Sequence, residues 1–320
     1  MENCFSAKPK IGISACLLGQ KVRYDGGDKR DDFLTEIFGR YVEWVPVCPE
    51  VEVGMGVPRE AVHLTGSLQR PRMIAERSGR DWTREMEDYA TQRVRSLQKM
   101  DLSGYLFKKD SPSCGMERVR VYGSKGAPAR QGRGLFAAVL MQALPLLPVE
   151  EEGRLHDAGL RENFIERVFA YYRWQQLIQE RKSVRALVRF HTRHKFLLMA
   201  HSESHYRQLG RIVAEAKKEP IGPVHEIYGR LFMQALAIHT TARKHGNVLE
   251  HMMGYFSEQL SAEERAELVE LIADFRGQLI PLVVPLTLLR HYVKKYRIAY
   301  LDGQVYLEPN PKELMLRNHV

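Results

Sequence analysis

The spacing of apolar residues changes partway along this chain, and that change limits the fold more than any other feature of the sequence. Over the first 150 of 320 residues, short apolar runs alternate with amphipathic stretches. Lys10–Ala15, Trp44–Val47, Gly104–Phe107 and Leu146–Val149 read as short buried strands. Asp31–Arg40, Thr83–Met100 and Gly134–Leu144 read as helices. Such alternation predicts an α/β domain with a mainly parallel, Rossmann-like sheet. From about Arg161 the period becomes helical, with Phe164, Val168, Tyr171 and Trp174 or Leu177 on one face of Glu162–Glu180. Helices are expected at Ser183–Lys217, Pro223–Lys244, Asn247–Gln259, Ala262–Arg276 and Leu279–Tyr296. Lys218–Pro223 reads as a break, His245-Gly246-Asn247 as a helix end, and Ser261 to Glu264 as a helix start. Asp302-Gly303 predicts a small hairpin near the C-terminus. The expected organisation is a domain over 1–158, a connecting helix over 159–180 and an all-α domain over 181–320.

No apolar run is long enough to span a bilayer; Leu279–Leu286 is short and broken by proline. The first residues lack the order of a signal peptide, so a cytoplasmic protein with no membrane contact is expected. The four cysteines make no disulfide framework in a chain of this length. Charge is unevenly placed. Residues 181–249 hold 13 Lys/Arg against 4 Asp/Glu, and that segment alone matches the chain's net charge of +9. A concentrated basic segment is the footprint of a polyanion partner. Nothing in the sequence implies a stable protein partner.

Three of the cysteines stand in separate Gly/Pro-rich loops after apolar runs: Cys16, then Cys48 beside Pro49, then Cys114 in Ser111-Pro-Ser-Cys-Gly115. In a parallel sheet, loops beyond the C-terminal strand ends gather at one edge, where ligands bind. Three thiolates there could hold an iron–sulfur cluster with one iron left open for chemistry. Gly19 and Gly115 would let the backbone approach it closely. Separations of 32 and 66 residues specify no local metal ribbon. Three unrelated buried thiols, or a zinc site with His63 as fourth ligand, remain open on these residues alone. Glu50 lies two residues past Cys48 and would share its side of an extended segment. There it could deprotonate a water, given a pKa raised by partial burial. It could equally be a surface or helix-start carboxylate. Ser111 could hydrogen-bond a substrate or relay a proton, or be a simple turn residue.

Ser14-Ala-Cys-Leu-Leu-Gly19 with Arg23-Tyr-Asp-Gly-Gly27, Val45-Pro-Val-Cys-Pro-Glu50 and Asp110-Ser-Pro-Ser-Cys-Gly115 together resemble the thiouracil desulfidase family, over about residues 8–155. From Arg181 to about Leu307 the chain resembles a YbgA-like helical domain, with Arg189-Phe-His-Thr-Arg-His-Lys-Phe196 as signature. The fused pair resembles bacterial desulfidases that convert 4-thiouridine in transfer RNA back to uridine. The resemblance implies a [4Fe-4S] cluster held by Cys16, Cys48 and Cys114, with one iron not bound by cysteine. It implies Glu50 and Ser111 as the working side chains. Cys4 matches no ligand of the family. Val53–Arg59 keeps the family's Gly/Pro character with changed detail.

Transfer RNA as substrate would account for the basic segment, because its phosphates bind Lys and Arg. Arg189, Arg193, Lys195, Arg230, Arg243 and Lys244 are the expected phosphate contacts. Arg23 and Tyr24 are candidates for the substrate pocket. Two further readings compete: a desulfidase of free thiouracil or small thionucleosides, and a non-catalytic zinc protein that binds nucleic acid. His191 with His194, and His201 with His205, have spacing that a second metal could use, though such spacing more often serves helix packing. Met252-Met253 reads as core.

Overall fold

The structure, a computed structural model, describes residues 8–123, 127–180 and 183–318. Cys4 lies outside the described residues. The chain divides into two compact units, Met1–Asp157 and Ala158–Val320. No helix among the described residues is long and apolar enough to cross a membrane.

In the first unit the elements run β1 (Lys10–Ser14), β2 (Glu43–Val47), α1 (Pro49–Glu52), β3 (Val62–Gly66), β4 (Pro71–Ala75), α2 (Thr83–Gln98), β5 (Leu102–Phe107), β6 (Val119–Tyr122), β7 (Ala129–Gly132), α3 (Leu135–Ala143) and β8 (Val149–Glu151). One sheet has the order β2-β1-β5-β8 and is parallel throughout. Its central strands are buried on both faces, as the unbroken apolar run of β5 requires. Ile11, Ile13, Leu106, Phe107 and Phe136 are fully buried in this core. A second sheet has the order β4-β3-β6-β7 and mixes antiparallel and parallel pairs. Nothing in the sequence pattern announced it. Its strands have four or five residues and carry arginines on one face, so the apolar half of the alternation is short and weak.

Two local expectations need correction in this unit. Asp31–Arg40 is not an α-helix: Phe33–Ile37 winds as a π-helix and Phe38–Arg40 as a 3₁₀ turn. The last strand begins where it was expected to end, at Val149. Pro148 lacks a ladder N–H, although its carbonyl still accepts from the Tyr105 N–H at 2.9 Å.

The second unit holds α4 (Ala158–Gln179), α5 (Val184–His201), α6 (Glu203–Glu215), α7 (Ile221–Leu236), α8 (Ala242–Met253), α9 (Ala262–Arg276) and α10 (Val283–Tyr296). It is all-helical apart from short 3₁₀ turns and its closing tail. Trp174 of α4 stacks on Tyr228 of α7, with centroids 5.3 Å apart, and packs edge-on against Phe190 of α5. Ser183–Lys217 forms two helices rather than one. Ser202 is extended (φ −158°) and its hydroxyl accepts the His205 N–H, capping α6. The break read at His245-Gly246-Asn247 falls inside α8. That helix starts after Thr241, whose hydroxyl caps Lys244. The capping box at Ser261 and Glu264 forms as read. The expected hairpin does not form. Residues around Gly303 make turns that tie back to α5, Val305 N–H to Arg193 O at 2.9 Å and the Gln304 amide to Thr192 O at 3.0 Å. Beyond them, Arg317 reaches the buried carboxylates Glu162 and Glu166 of α4.

Candidate active site

Strand β1 has β2 on one side and β5 on the other, so the chain reverses its winding direction at β1. Ligands of open α/β sheets bind at such a switch point, outside the carboxyl ends of the strands. Cys16 and Cys48 follow β1 and β2 directly, and the loop bearing Cys114 follows β5. The topology thus brings the three thiols to one edge from positions far apart in sequence.

Each thiol is fixed by its own loop. Cys16 lies in a 3₁₀ turn, Ala15–Leu18, closed by Gly19 at φ 82°, a conformation that side chains with a Cβ resist. Its carbonyl accepts the N–H groups of Gly19 and Lys29. Cys48 precedes α1, with Pro49 in the helix's first turn. The Glu52 side chain accepts the Cys48 N–H at 3.0 Å. Cys114 sits in a tight turn held by Ser111, whose hydroxyl accepts the N–H groups of Cys114 at 3.1 Å and Ser113 at 3.3 Å. A Cβ at Gly115 would lie 2.8 Å from the Ser111 carbonyl and would strike Val119, so only glycine fits there.

Glu50 is in the first turn of α1 rather than in an extended segment. Arg59 grips one of its oxygens with two donors: Nε at 3.1 Å and Nη2 at 2.6 Å from Oε2. Both side chains are largely buried, and Arg59 also donates to the carbonyls of Val22 and Gly56. Such a fork fixes the orientation of the carboxylate. On the other oxygen, Ser113 donates to Oε1 at 2.7 Å, while Ser111 stands 3.5 Å away. Ser113 also contacts Cys114 Sγ at 3.6 Å. The glutamate therefore lies beside the cysteine loop from β5 as well as its own. Ser111 is chiefly a loop fastener, and Ser113 is the closer partner of Glu50. Sequence reading missed both Ser113 and Arg59. Arg59's signal, a lone basic residue closing a Gly/Pro-rich segment, was on view.

Burial pushes Cys16 up to about 11 and raises Cys48 and Cys114 as well. The negative charge of Cys48 adds to the rise at both of the others, which places it within electrostatic reach of each. Lys108 and Arg23 act in the opposite direction at Cys16. Lys108 is anchored by Glu152 at 2.5 Å, and Glu151 accepts the Met116 N–H at 2.7 Å. Two buried thiols and one half-buried thiol, all with raised pKa values, are poor anions alone; a cationic metal group is what would draw off their protons. All three are free of disulfides. Among the described residues, no group of three or more His, Cys, Asp or Glu side chains is placed to share one metal ion. His63 is on β3 with its ring edge-on to Tyr122. Ligands of a single zinc must converge on one point, whereas a cubane offers irons at separate corners and needs cysteines ringing it. The donor set fits a cluster.

Arg23 and Tyr24 lie in the loop whose Val22 carbonyl faces Cys48 Sγ at 3.7 Å. Tyr24 is 44% exposed, and the Arg23 guanidinium lies 5.4 Å from its ring. The six basic candidates of the second unit are spread over α5, α7 and α8. Arg189, Arg230 and Arg243 are exposed, with no ion-pair partner among the described residues. Arg193 is exposed and donates to Gly303 O. Lys195 is half-buried between Tyr255 and Tyr300. Lys244 is spent on the carbonyls of His201 and His239. The four histidines bond within the protein: His191 to Tyr228, His194 to Phe190 O, His201 to Glu166 and Ile238 O, and His205 to Ser202.

Residues 11–152 match the family model described as 2-thiouracil desulfurase. Residues 195–311 match one described as a protein of unknown function, DUF1722. The uncharacterized protein YbgA of Escherichia coli is 33% identical over 48% of this chain and 90% of its own length. The uncharacterized protein YbbK of Bacillus subtilis is 28% identical over 42% of this chain and 90% of its own. A solved [4Fe-4S]-dependent thiouracil desulfidase, TudS, is 32% identical, covering 47% of this chain and 94% of that one, with a TM-score of 0.40. The chain belongs to the thiouracil desulfidase family of enzymes, as a desulfidase domain fused to a YbgA-like helical domain.

Proposed function

We propose that this chain removes sulfur from thiolated uracil by hydrolysis at a [4Fe-4S] cluster held by Cys16, Cys48 and Cys114, and that its substrate is 4-thiouridine in transfer RNA. The observation that carries this reading is the set of three cysteine loops at the carboxyl edge of one parallel sheet, with Glu50 hydrogen-bonded to Ser113 beside Cys114. When bound, the cluster would supply a thiophilic Lewis acid whose fourth iron no cysteine occupies.

The chain's own residues do the rest. Glu50 Oε1 takes a proton from the water that attacks C4 of the base. Arg59, fixed on Oε2 by two N–H donors, keeps Glu50 aimed. Ser113 sits between Glu50 and the Cys114 loop and can relay the proton onward. As the C4–O bond becomes a carbonyl, the C4–S bond breaks and sulfur leaves with the electron pair as hydrosulfide. One water is consumed, one sulfide is formed, and no electrons are gained or lost. No reductant is needed. The loop of Arg23 and Tyr24 offers an exposed ring at the site on which a base can stack.

The basic segment of the helical unit supports the RNA substrate, with Arg189, Arg230 and Arg243 free to meet phosphate. The target nucleotide has to be exposed or flipped to enter. Free thiouracil is the second reading, favoured by the description of the family model. Anaerobic incubation of cluster-loaded protein with 4-thiouridine-containing transfer RNA and with free 4-thiouracil separates the two. The proposal expects the thiocarbonyl band of the RNA to vanish with uridine formed. Turnover of the free base beside intact RNA would assign the enzyme to small molecules.

A further inference from the structure

The second sheet of the first unit has one buried face and one open face. Leu64, Met73, Val119 and Val121 point into the core. His63, Thr65, Arg72, Ile74, Arg120 and Tyr122 alternate with them and point outward. Tyr122 is 40% exposed and meets the edge of the His63 ring at 5.2 Å between centroids. Arg120 on β6 stands directly opposite Arg130 on the edge strand β7. Both are exposed, and neither has an ion-pair partner among the described residues. Like charges directly opposed across two strands destabilise a sheet. Arg72, by contrast, is neutralised by Asp81 at 2.8 Å. An unneutralised arginine pair next to the exposed Tyr122 ring is complementary to a strand of phosphates with stackable bases.

The placement of this face gives it a use. Strand β3 begins three residues after Arg59, and β6 begins five residues after Cys114. The two strands run parallel away from the loops that carry Glu50 and the third thiol. Thr65 pairs with Tyr122 in register, and His63 and Arg120 each precede them by two residues, nearer those loops. We propose that this open face, through Arg120, Arg130, Tyr122 and His63, is a track for single-stranded RNA leading to the cysteine loops. It rests on the reading of RNA as substrate, and it puts part of the RNA-binding work in the desulfidase unit itself. The arginine pair neutralises two successive phosphates, and the Tyr122 ring takes a base.

The test is binding of a fluorescent single-stranded oligoribonucleotide to the full chain, by anisotropy over a range of salt. The variants are Arg120→Gln with Arg130→Gln, and Tyr122→Ala. The double variant is expected to reduce the slope of log K against log salt by about 1.4, two phosphates at about 0.7 each for a single strand. Tyr122→Ala is expected to weaken binding about 10-fold with the slope unchanged, because stacking is uncharged. Relief of the like-charge pair predicts an unfolding temperature for the double variant equal to or above wild type. Wild-type binding with unchanged affinity and slope in both variants would overturn the sheet face and leave RNA as substrate intact. No RNA binding by wild type would overturn both. Release of bound RNA by polyglutamate at wild-type levels in the double variant would also assign the polyanion site elsewhere and overturn the proposal.

Discussion

In the proposed mechanism Glu50 is the residue on which the chemistry turns, and its neighbours set its role. Glu50→Gln keeps the shape of the side chain and one acceptor oxygen for Arg59, but cannot take a proton. It should retain iron and acid-labile sulfide at wild-type levels and lose turnover by about 10²-fold or more. Loss of the cluster together with activity would make Glu50 structural instead. Cys48→Ser should fail to hold iron after anaerobic reconstitution, since it removes one of three ligands. Ser113→Ala removes the 2.7 Å donor to Glu50, and should lower kcat about 10-fold with KM little changed. Ser111→Ala strikes the turn that presents Cys114, so it should lower cluster content first. Equal iron content in both serine variants, with Ser111→Ala the more damaged in kcat, would reverse these two roles. Arg59→Ala leaves the Glu50 carboxylate partly buried and unpaired, at a cost of about 3 kcal/mol measured by denaturant. Arg59→Lys keeps the charge but not the fork, and should recover only part of that loss.

Elements were legible where one physical signal governed them. The three strands that carry the site are continuous apolar runs bounded by Gly and Pro, and the cysteines just beyond them named the functional edge. Ser113 was not readable, and Arg59 showed only as a lone basic residue, because their importance comes from meeting Glu50 across 63 and 9 residues. The second sheet escaped because its outward arginines dilute the apolar alternation. The helix break at Ser202 was hidden in a run with helical period on both sides, and Gly246 misled because a glycine in a buried helix face looks like a helix end. Ser261, by contrast, was both legible and formed. Ser261→Ala should cost about 1 kcal/mol, seen as a lower unfolding midpoint. Helix α5 makes a pH prediction. Burial pushes His194 down to about 3, with Arg173 and Arg193 adding to it, and burial pushes His191, against Tyr206 and Tyr228, down to about 4. Unfolded, both bind a proton near pH 6.5. The unfolded chain therefore holds more protons below that pH, and stability must fall on acidification. Each contributes a loss of up to about 2 kcal/mol between pH 6.5 and 5. Helical circular dichroism during unfolding at pH 7 and pH 5 reads the loss, and a flat profile would contradict neutral histidines.

At the scale of the whole molecule, the proposed function gives each unit one half of a single requirement. The α/β unit gathers thiols, a fixed carboxylate and a hydroxyl at the edge of a parallel sheet. The helical unit carries a segment as positive as the entire chain, and its Arg189, Arg230 and Arg243 have no ion-pair partner among the described residues. The central claim joining them is hydrolysis: oxygen arrives from water and sulfur leaves as sulfide, with no change of oxidation state. Anaerobic turnover of 4-thiouridine-containing transfer RNA in ¹⁸O-labelled water, with no reductant added, tests it most directly. The account predicts one labelled oxygen in each uridine formed and one sulfide released for each. Unlabelled uridine, or turnover only when electrons are supplied, would contradict it.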